Sequence, residues 1–317
     1  MIKKKILVTG GSGFVGSNFL KINHKKFSSI KATYYKNKKF KKFKNVKYMN
    51  ANLEIFSNCK KICKDIDIIY MFASNSSGAK VIHENPLSHF TPNLIMNLNM
   101  LKAATESNVK KFVFLSSNTV YPNSKKTMKE KDINYTFFHK YHVVGWMKLF
   151  SEIACNIFST KTKKKMDTVI FRPANLYGPF DKFDTLRAKV IPSIIRKAVK
   201  AKNKIEVWGN GLDKKDFLYI DDFVKIITPL SIKLKNHVVV NIASGKSMIL
   251  KKIIFLILKI LNKNNKIKIF YNKKKPTMIP VRNISIKKMK SLYKFDKLTT
   301  IDKGLASTIK WYLDNKS

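Results

Sequence analysis

Gly10, Gly13 and Gly16 stand at three-residue spacing directly after the apolar run Ile6-Leu7-Val8-Thr9. This pattern can bind phosphate. The first glycine permits a tight turn, the second lets a pyrophosphate approach the backbone, and the third lets the next helix pack close to the strand. A helix opening at Phe14 and Val15 would turn free N–H groups and the positive end of its dipole toward the phosphates. Gly10, Gly13, Phe14, Val15 and Gly16 are therefore the candidate cradle, and the expected ligand is a dinucleotide. The alternative is a purely structural glycine turn. A strand before the triplet and an amphipathic segment after it are the context that the binding motif requires.

Such a loop works only if a sheet and helices hold it. Strands are expected at Lys5–Thr9, Ile30–Tyr34, Ile66–Phe72, Lys111–Ser116 and Thr168–Arg172, and helices at Ser17–Asn23, Lys60–Cys63, Met96–Ser107 and Gly145–Ser159. Strands alternating with helices imply an α/β fold with a doubly wound parallel sheet. Beyond about Pro173 the alternation loosens. Helices at Val190–Lys202, Asp221–Leu230 and Ile249–Asn262 mix with short strands at Lys204–Trp208 and Val238–Ile242. The expected division is a dinucleotide-binding domain over 1–172 and a smaller mixed α/β region over 173–317, interleaved with the first.

The formal net charge is +45, and the only arginines are Arg172, Arg187, Arg196 and Arg282. Readers of nucleic acid favour Arg, whose fork contacts phosphate and guanine bidentately. Here lysines are spread along the whole chain, a distribution that A/T-rich codons explain. Specific nucleic-acid binding is not expected, although weak, salt-sensitive binding is compatible with the charge. Cys59, Cys63 and Cys155 form no disulfide framework, and no further ligands complete a metal site, which points to reduced thiols in a cytoplasm. The apolar run Ile253–Leu258 is too short to span a bilayer. It is expected to be a buried helix.

Further motifs follow the glycine loop in order: Ser74-Asn75-Ser76-Ser77-Gly78-Ala79-Lys80, Leu115-Ser116-Ser117-Asn118-Thr119-Val120-Tyr121-Pro122, Gly145-Trp146-Met147-Lys148, Arg172-Pro173-Ala174-Asn175-Leu176-Tyr177-Gly178-Pro179, Val207-Trp208-Gly209-Asn210-Gly211 and Phe217-Leu218-Tyr219-Ile220-Asp221-Asp222. With these residues the chain resembles the extended short-chain dehydrogenases/reductases (the NAD-dependent epimerase/dehydratase family). Within them it is most similar to the GDP-L-fucose synthases, from Ile6 to about Ser247. The resemblance implies hydride transfer between a nicotinamide and a carbon of a nucleotide-linked sugar, in the supply of surface polysaccharide precursors. It implies a catalytic Ser at Ser117 and a catalytic Lys at Lys148, where the lysine binds the nicotinamide ribose and lowers the pKa of a tyrosine four residues earlier.

That tyrosine is replaced by Val144. Tyr141, seven residues before Lys148, is the substitute candidate, with His139 and His142 as nearby proton carriers. The synthases also epimerise with a Cys and a His, and those positions hold Thr119 and Lys189. Thr is a poor base at neutral pH, and Lys189 is expected to contact an anion. A 4-epimerase, a 4-keto reductase and a dehydratase-like enzyme therefore all stay open. So does a degenerate relative that binds cofactor and nucleotide sugar without turnover.

The remaining site residues are also implied by the resemblance. Ala73, Ser74, Pro173, Asn175 and Lys148 are assigned to the cofactor, with Asn52 and Leu53 beside the adenine. Ser76, Ser77, Asn175, Lys189, Trp208 and Lys215 are assigned to the substrate, with Lys215 where the family has a diphosphate-contacting Arg. Asp221 and Asp222 are expected to cap the helix that follows, and the helix of Met96–Leu101 to contribute to a homodimer. An NAD site carries an acidic residue at the end of the second strand. Here that end is Thr33-Tyr34-Tyr35-Lys36-Asn37-Lys38-Lys39, with cations and no carboxylate. Tyr35 and Lys36 accordingly favour NADP over NAD.

Overall fold

A computed structural model of the chain describes residues 1–38, 40–76, 79–137, 142–275, 279–295 and 297–316. Its strands are β1 (Ile2–Thr9), β2 (Phe27–Tyr34), β3 (Val46–Asn50), β4 (Ile68–Met71), β5 (Lys111–Leu115), β6 (Thr127–Met128) and β7 (Asp167–Pro173). They continue with β8 (Asn175–Tyr177), β9 (Lys204–Trp208), β10 (Lys214–Tyr219), β11 (His237–Ile242), β12 (Ser247–Ile249), β13 (Lys268–Asn272) and β14 (Val281–Ile284). The helices are α1 (Phe14–Asn23), α2 (Phe56–Cys63), α3 (Ala79–Glu84), α4 (Leu87–Glu106) and α5 (His142–Thr160). After them come α6 (Val190–Lys200), α7 (Ile220–Lys233), α8 (Leu250–Ile260), α9 (Lys287–Leu292) and α10 (Ile301–Asn315).

Seven strands form one sheet in the order β11-β7-β5-β4-β1-β2-β3, and every neighbouring pair is parallel. The sequence causes this directly. Alternate residues of β1 face opposite sides, and both sides are apolar: Ile6 and Val8 join the core on one face, Leu7 the core on the other. Helix α1 and α7 cover the first face through Phe19, Leu20, Phe223, Val224 and Ile227. Helices α2, α4 and α5 cover the second through Cys59, Ile62, Met100, Leu101, Ala104 and Ala154. Each fully buried Leu or Ile contributes roughly 1.5–3 kcal/mol, so the two-sided burial is what commits these short runs to a parallel sheet. The chain winds outward from β1 through β2 to β3, then returns to the other side at β4. The chain therefore leaves β1 toward one face of the sheet, through α1, and leaves β4 toward the other, through α4, and doubly wound sheets bind ligands at such a divergence.

The last strand of this sheet, β11, comes from beyond residue 173 and pairs with β7 from His237↔Thr168 to Ile242↔Pro173. A smaller mixed sheet is built around β10, which pairs antiparallel with β12 and parallel with β8 and β14. Strands β9 and β13 form a separate pair.

Helix α4 starts at Leu87, earlier than the Met96 start expected from periodicity, and carries Pro92 inside it. A proline in a helix leaves the carbonyl four residues back without its amide. Here that carbonyl, Ser88 O, accepts from Asn75 Nδ2 at 2.8 Å. One turn of α4 thus holds the loop after β4. Asn93 completes the attachment: its Oδ1 accepts from Ser74 Oγ (3.0 Å) and Asn75 N (2.9 Å), and its Nδ2 donates to Asn75 O (3.0 Å).

Candidate active site

The glycine loop is closed by backbone contact. Gly10 has φ +66°, and a Cβ on it would lie 2.8 Å from Ala73 Cα. A Cβ on Gly16 would lie 2.2 Å from the Gly10 carbonyl oxygen, so α1 can approach β1 only because residue 16 has no side chain. Thr9 Oγ1 accepts from the amides of Phe72 and Ala73 at 3.1 Å each, joining the carboxyl ends of β1 and β4. Gly13, the N-cap of α1, makes no side-chain cap. The first-turn amides at Phe14, Val15 and Gly16 have no intrahelical acceptor by helix geometry. A dinucleotide pyrophosphate fits this cradle.

At the end of β2, Tyr35 is exposed and Lys36 Nζ lies 5.8 Å from its ring centroid. Asn37 Nδ2 donates to Ser12 O at 3.2 Å, binding this tip to the glycine loop. Asn52 spends its side-chain oxygen on the Glu54 amide at 3.1 Å. Leu53 is buried, and its carbonyl accepts from Cys59 Sγ and Asn99 Nδ2.

Ser117 follows β5 and caps a 3-10 turn at Asn118–Val120, accepting from the Thr119 amide at 3.2 Å. Lys148 Nζ donates to Leu115 O, the last residue of β5, at 2.8 Å and lies 4.9 Å from the Phe114 ring centroid. Ser117 and Lys148 therefore share one strand end. Burial pushes the Lys148 ammonium down to about 8, helped by the charge of Lys189 and opposed by Glu152. Helix α5 sits close to the Ser117 turn because Gly145 has no side chain: a Cβ there would be 2.6 Å from the Phe137 ring and 2.9 Å from Thr119 O. Below the site, Glu152 accepts from Arg172 Nε (3.0 Å), Arg172 Nη2 (2.6 Å) and Ser116 Oγ. Arg172 also donates to Tyr121 Oη at 3.0 Å. This buried pair ties α5 to β7 and to the residue next to Ser117.

Val144 is buried with Ile82 and Met147, against Phe90 and Leu94. The helix turn that would hold the family's tyrosine is therefore packing surface. Tyr141, His139 and Ser77 lie outside the described residues. Thr119 Oγ1 is buried without a partner among the described residues.

The remaining candidates divide. Ser76 Oγ accepts from Lys182 Nζ at 2.9 Å, and Lys189 is the exposed N-cap residue of α6. Pro173 O accepts from Asn118 Nδ2 at 3.1 Å, which places the end of β7 against the Ser117 turn. Asn175 Nδ2 is spent on Asp216 O at 2.9 Å. Trp208 is half-buried at the end of β9, with Lys197 Nζ 5.7 Å and Lys275 Nζ 6.0 Å from its ring centroid. Lys215 is buried, pairs with Asp213 at 3.1 Å and donates to Ile279 O at 2.8 Å, and burial lowers its pKa. Asp221 and Asp222 make no N-cap. They lie in the first turn of α7, where Asp221 pairs with Lys21 at 2.7 Å and Asp222 accepts from the Thr299 amide at 2.7 Å.

Two buried polar residues join the site without any sequence signal. Among the described residues Nδ1 of His89, on α4, has no partner, and the pKa of His89 is pushed down to about 4 by burial and by Lys148, Lys189 and Lys182, against a hydrogen bond with the Asn75 backbone. Asp181 Oδ2 has no partner among the described residues, and burial raises the pKa of Asp181 to about 6 against the pull of Lys189 and Lys182. Among the described residues no three His, Cys, Asp or Glu side chains could hold a metal ion. None of the described helices is long and apolar enough to cross a membrane.

Residues 6–243 match the NAD-dependent epimerase/dehydratase family. Over 322 residues, 98% of this chain and 96% of the relative, the sequence is 24% identical to a dTDP-4-dehydro-6-deoxy-D-allose reductase of Streptomyces sp. It is 24% identical over 268 residues to the GDP-L-fucose synthase of Escherichia coli (strain K12), covering 79% of this chain and 81% of that one. The fold resembles the solved structure of UDP-N-acetylglucosamine 4-epimerase from Methanobrevibacter ruminantium M1 in complex with UDP-N-acetylmuramic acid. That likeness has a TM-score of 0.86 at 23% identity and covers 99% of both chains.

Proposed function

The chain belongs to the NAD-dependent epimerase/dehydratase family, and we propose that it is an NADP-dependent nucleotide-sugar reductase or epimerase resembling the GDP-L-fucose synthases. In this reading it reduces a keto carbon of the sugar during synthesis of a surface polysaccharide precursor. The observation that carries it is the convergence at one end of the sheet: an uncapped α1 N-terminus behind Gly10, Gly13 and Gly16, with Ser117 and Lys148 both at the end of β5. A nicotinamide bound there supplies a hydride to the sugar carbon. Lys148 would hold the cofactor ribose, Ser117 would hold the sugar oxygen, and Ser76 and Lys189 would bound the sugar. Lys36 beside Tyr35, with no carboxylate between Thr33 and Lys38, supports NADP as the cofactor. Reduction is favoured over double epimerisation because Thr119 and Lys189 stand where the synthases hold a Cys and a His.

A homodimer is part of the same proposal. Trp146, Phe150, Ile153 and Ile157 of α5 and Ile95 and Leu98 of α4 are exposed, and they form an apolar face that a second copy would cover.

The burial of Val144 among apolar side chains favours one alternative, a protein that binds cofactor and nucleotide sugar without turnover. The test separates the two. Purified protein is incubated with NADPH, NADP or NAD and with GDP-, UDP-, dTDP- and CDP-linked sugars and their 4-keto forms, with products identified by mass and NMR. Oxidation of NADPH with one 4-keto sugar is expected. Cofactor and sugar binding with no product would establish the alternative.

A further inference from the structure

We propose that Glu152 is a positioning residue for the reaction: one buried carboxylate fixes the Ser117 turn against α5 and holds Lys148, on the same helix, as a cation. This rests on the reductase reading above, in which Ser117 meets the sugar oxygen and Lys148 the cofactor ribose. Glu152 follows Lys148 by four residues, so the two share one face of α5. Lys148 Nζ donates to Leu115 O, at the end of β5, at 2.8 Å. Glu152 takes the next residue along the chain, accepting from Ser116 Oγ. Two side chains of one helix face therefore grip consecutive residues, and Ser117 comes directly after them.

The far end of the Ser117 turn is held through the same carboxylate. Arg172 donates to Glu152 from Nε at 3.0 Å and from Nη2 at 2.6 Å. Its Nη1 donates to Tyr121 Oη at 3.0 Å and to Glu130 O at 2.7 Å. Tyr121 Oη in turn donates to Asn241 Oδ1 at 2.5 Å, and the Asn241 amide donates to Glu130 Oε1 at 2.9 Å. Between the two ends, Asn118 Nδ2 donates to Pro173 O at 3.1 Å. Residues 116, 118 and 121 are thus anchored around Ser117. Ser116, Glu152, Arg172 and Tyr121 are all buried, so water cannot replace these bonds.

The charge of Glu152 acts on Lys148 as well. The titratable groups facing Lys148 are Lys189 at the start of α6, Glu152 and Cys155 on α5, and His89 on α4. Burial and Lys189 both favour the neutral amine. Cys155, whose thiol burial pushes up, and His89, pushed down to about 4, are uncharged at pH 7. Among these groups Glu152 is the one anion. Without it the ammonium, already down to about 8, would lose its proton closer to neutrality.

Glu152→Gln tests the charge, because Gln keeps the size and an acceptor for Ser116. The Lys148 titration is read residue by residue, by competitive trace acetylation with acetic anhydride and peptide mass spectrometry. Its midpoint should fall by about one pH unit in the variant. With the 4-keto sugar that the wild type reduces, the ratio of wild-type to variant kcat/KM should then grow at least about fivefold between pH 6.5 and pH 8.5. A merely structural role would give the same ratio at both. Ser116→Ala tests the placement with the charge kept: kcat should fall at least ~10-fold at every pH, with KM and NADPH affinity within about threefold and the Lys148 midpoint unmoved. If Glu152→Gln does not fold, the double variant Glu152→Met, Arg172→Met removes the carboxylate without stranding the guanidinium, and the same fall of the Lys148 midpoint is expected. The proposal is overturned if Lys148 keeps its midpoint when the carboxylate is gone, if the kcat/KM ratio is the same at both pH values, or if Ser116→Ala keeps its kcat. A wild type that binds NADPH but reduces no keto sugar removes the reductase reading. The acetylation titration needs no substrate, so it upholds or overturns the hold of Glu152 on Lys148 by itself.

Discussion

Replacing Asp181 by Asn should make the folded protein more stable, and by an amount that depends on pH. Burial raises this carboxyl from 3.8 to about 6, a value that already contains the attraction of Lys182 and Lys189. The folded-state pKa of an acid is raised, so ionisation costs stability. Below about pH 4 the carboxyl is protonated in both states and contributes nothing. Between about pH 4 and 6 the unfolded chain loses the proton first, and stability falls as pH rises. Above about 6 the loss is complete. Two pH units at about 1.4 kcal/mol each give a penalty of about 3 kcal/mol at pH 7. Asn resembles the protonated acid and escapes this penalty. Urea unfolding of both proteins at pH 7.5 and pH 4 measures it: the variant should be about 3 kcal/mol more stable at pH 7.5 and nearly equal at pH 4. A variant no more stable at pH 7.5 would show that the carboxylate is satisfied in the folded state, refuting the argument from its unpartnered oxygen.

Gly16→Ala places a Cβ 2.2 Å from Gly10 O; fluorescence titration should show NADPH binding at least ~30-fold weaker, about 2 kcal/mol. Glu152→Gln strands the Arg172 guanidinium, whose side chain is 4% exposed; denaturant unfolding should register a loss of about 3–5 kcal/mol, whereas replacing both partners by Met should lose much less. Phe150→Glu puts a charge into the exposed α5 face, and sedimentation should change from dimer to monomer. A wild type already monomeric at micromolar concentration would remove the homodimer.

What could be read from the sequence was whatever has a local cause. The glycine loop is legible because left-handed backbone and close approach exclude side chains at Gly10 and Gly16. Strands β1, β4 and β5 are legible because burial on both faces makes continuous apolar runs. The edge strand β3, Val-Lys-Tyr-Met-Asn, is only partly covered and has no such signature. The start of α4 was hidden by Pro92, whose freed acceptor is met by Asn75, a residue distant in sequence. Lys215 reads as a ligand-facing cation in a chain full of lysines; Asp213 stands two residues away, but the Ile279 carbonyl that also draws it inward is distant in sequence. His89 and Asp181 enter the site through tertiary packing between segments about ninety residues apart, which no periodicity records.

The position of β11 has a consequence for how the protein is made. Until residues 237–242 pair with β7, the large sheet ends on β7, whose Thr168–Pro173 stretch is buried throughout in the finished fold. A chain emerging from the ribosome therefore carries an apolar, unpaired edge for some sixty residues of synthesis, and such edges recruit other strands. Truncation anywhere between β7 and β11 would release that edge permanently. Such fragments should aggregate even though they contain the whole glycine loop, Ser117 and Lys148.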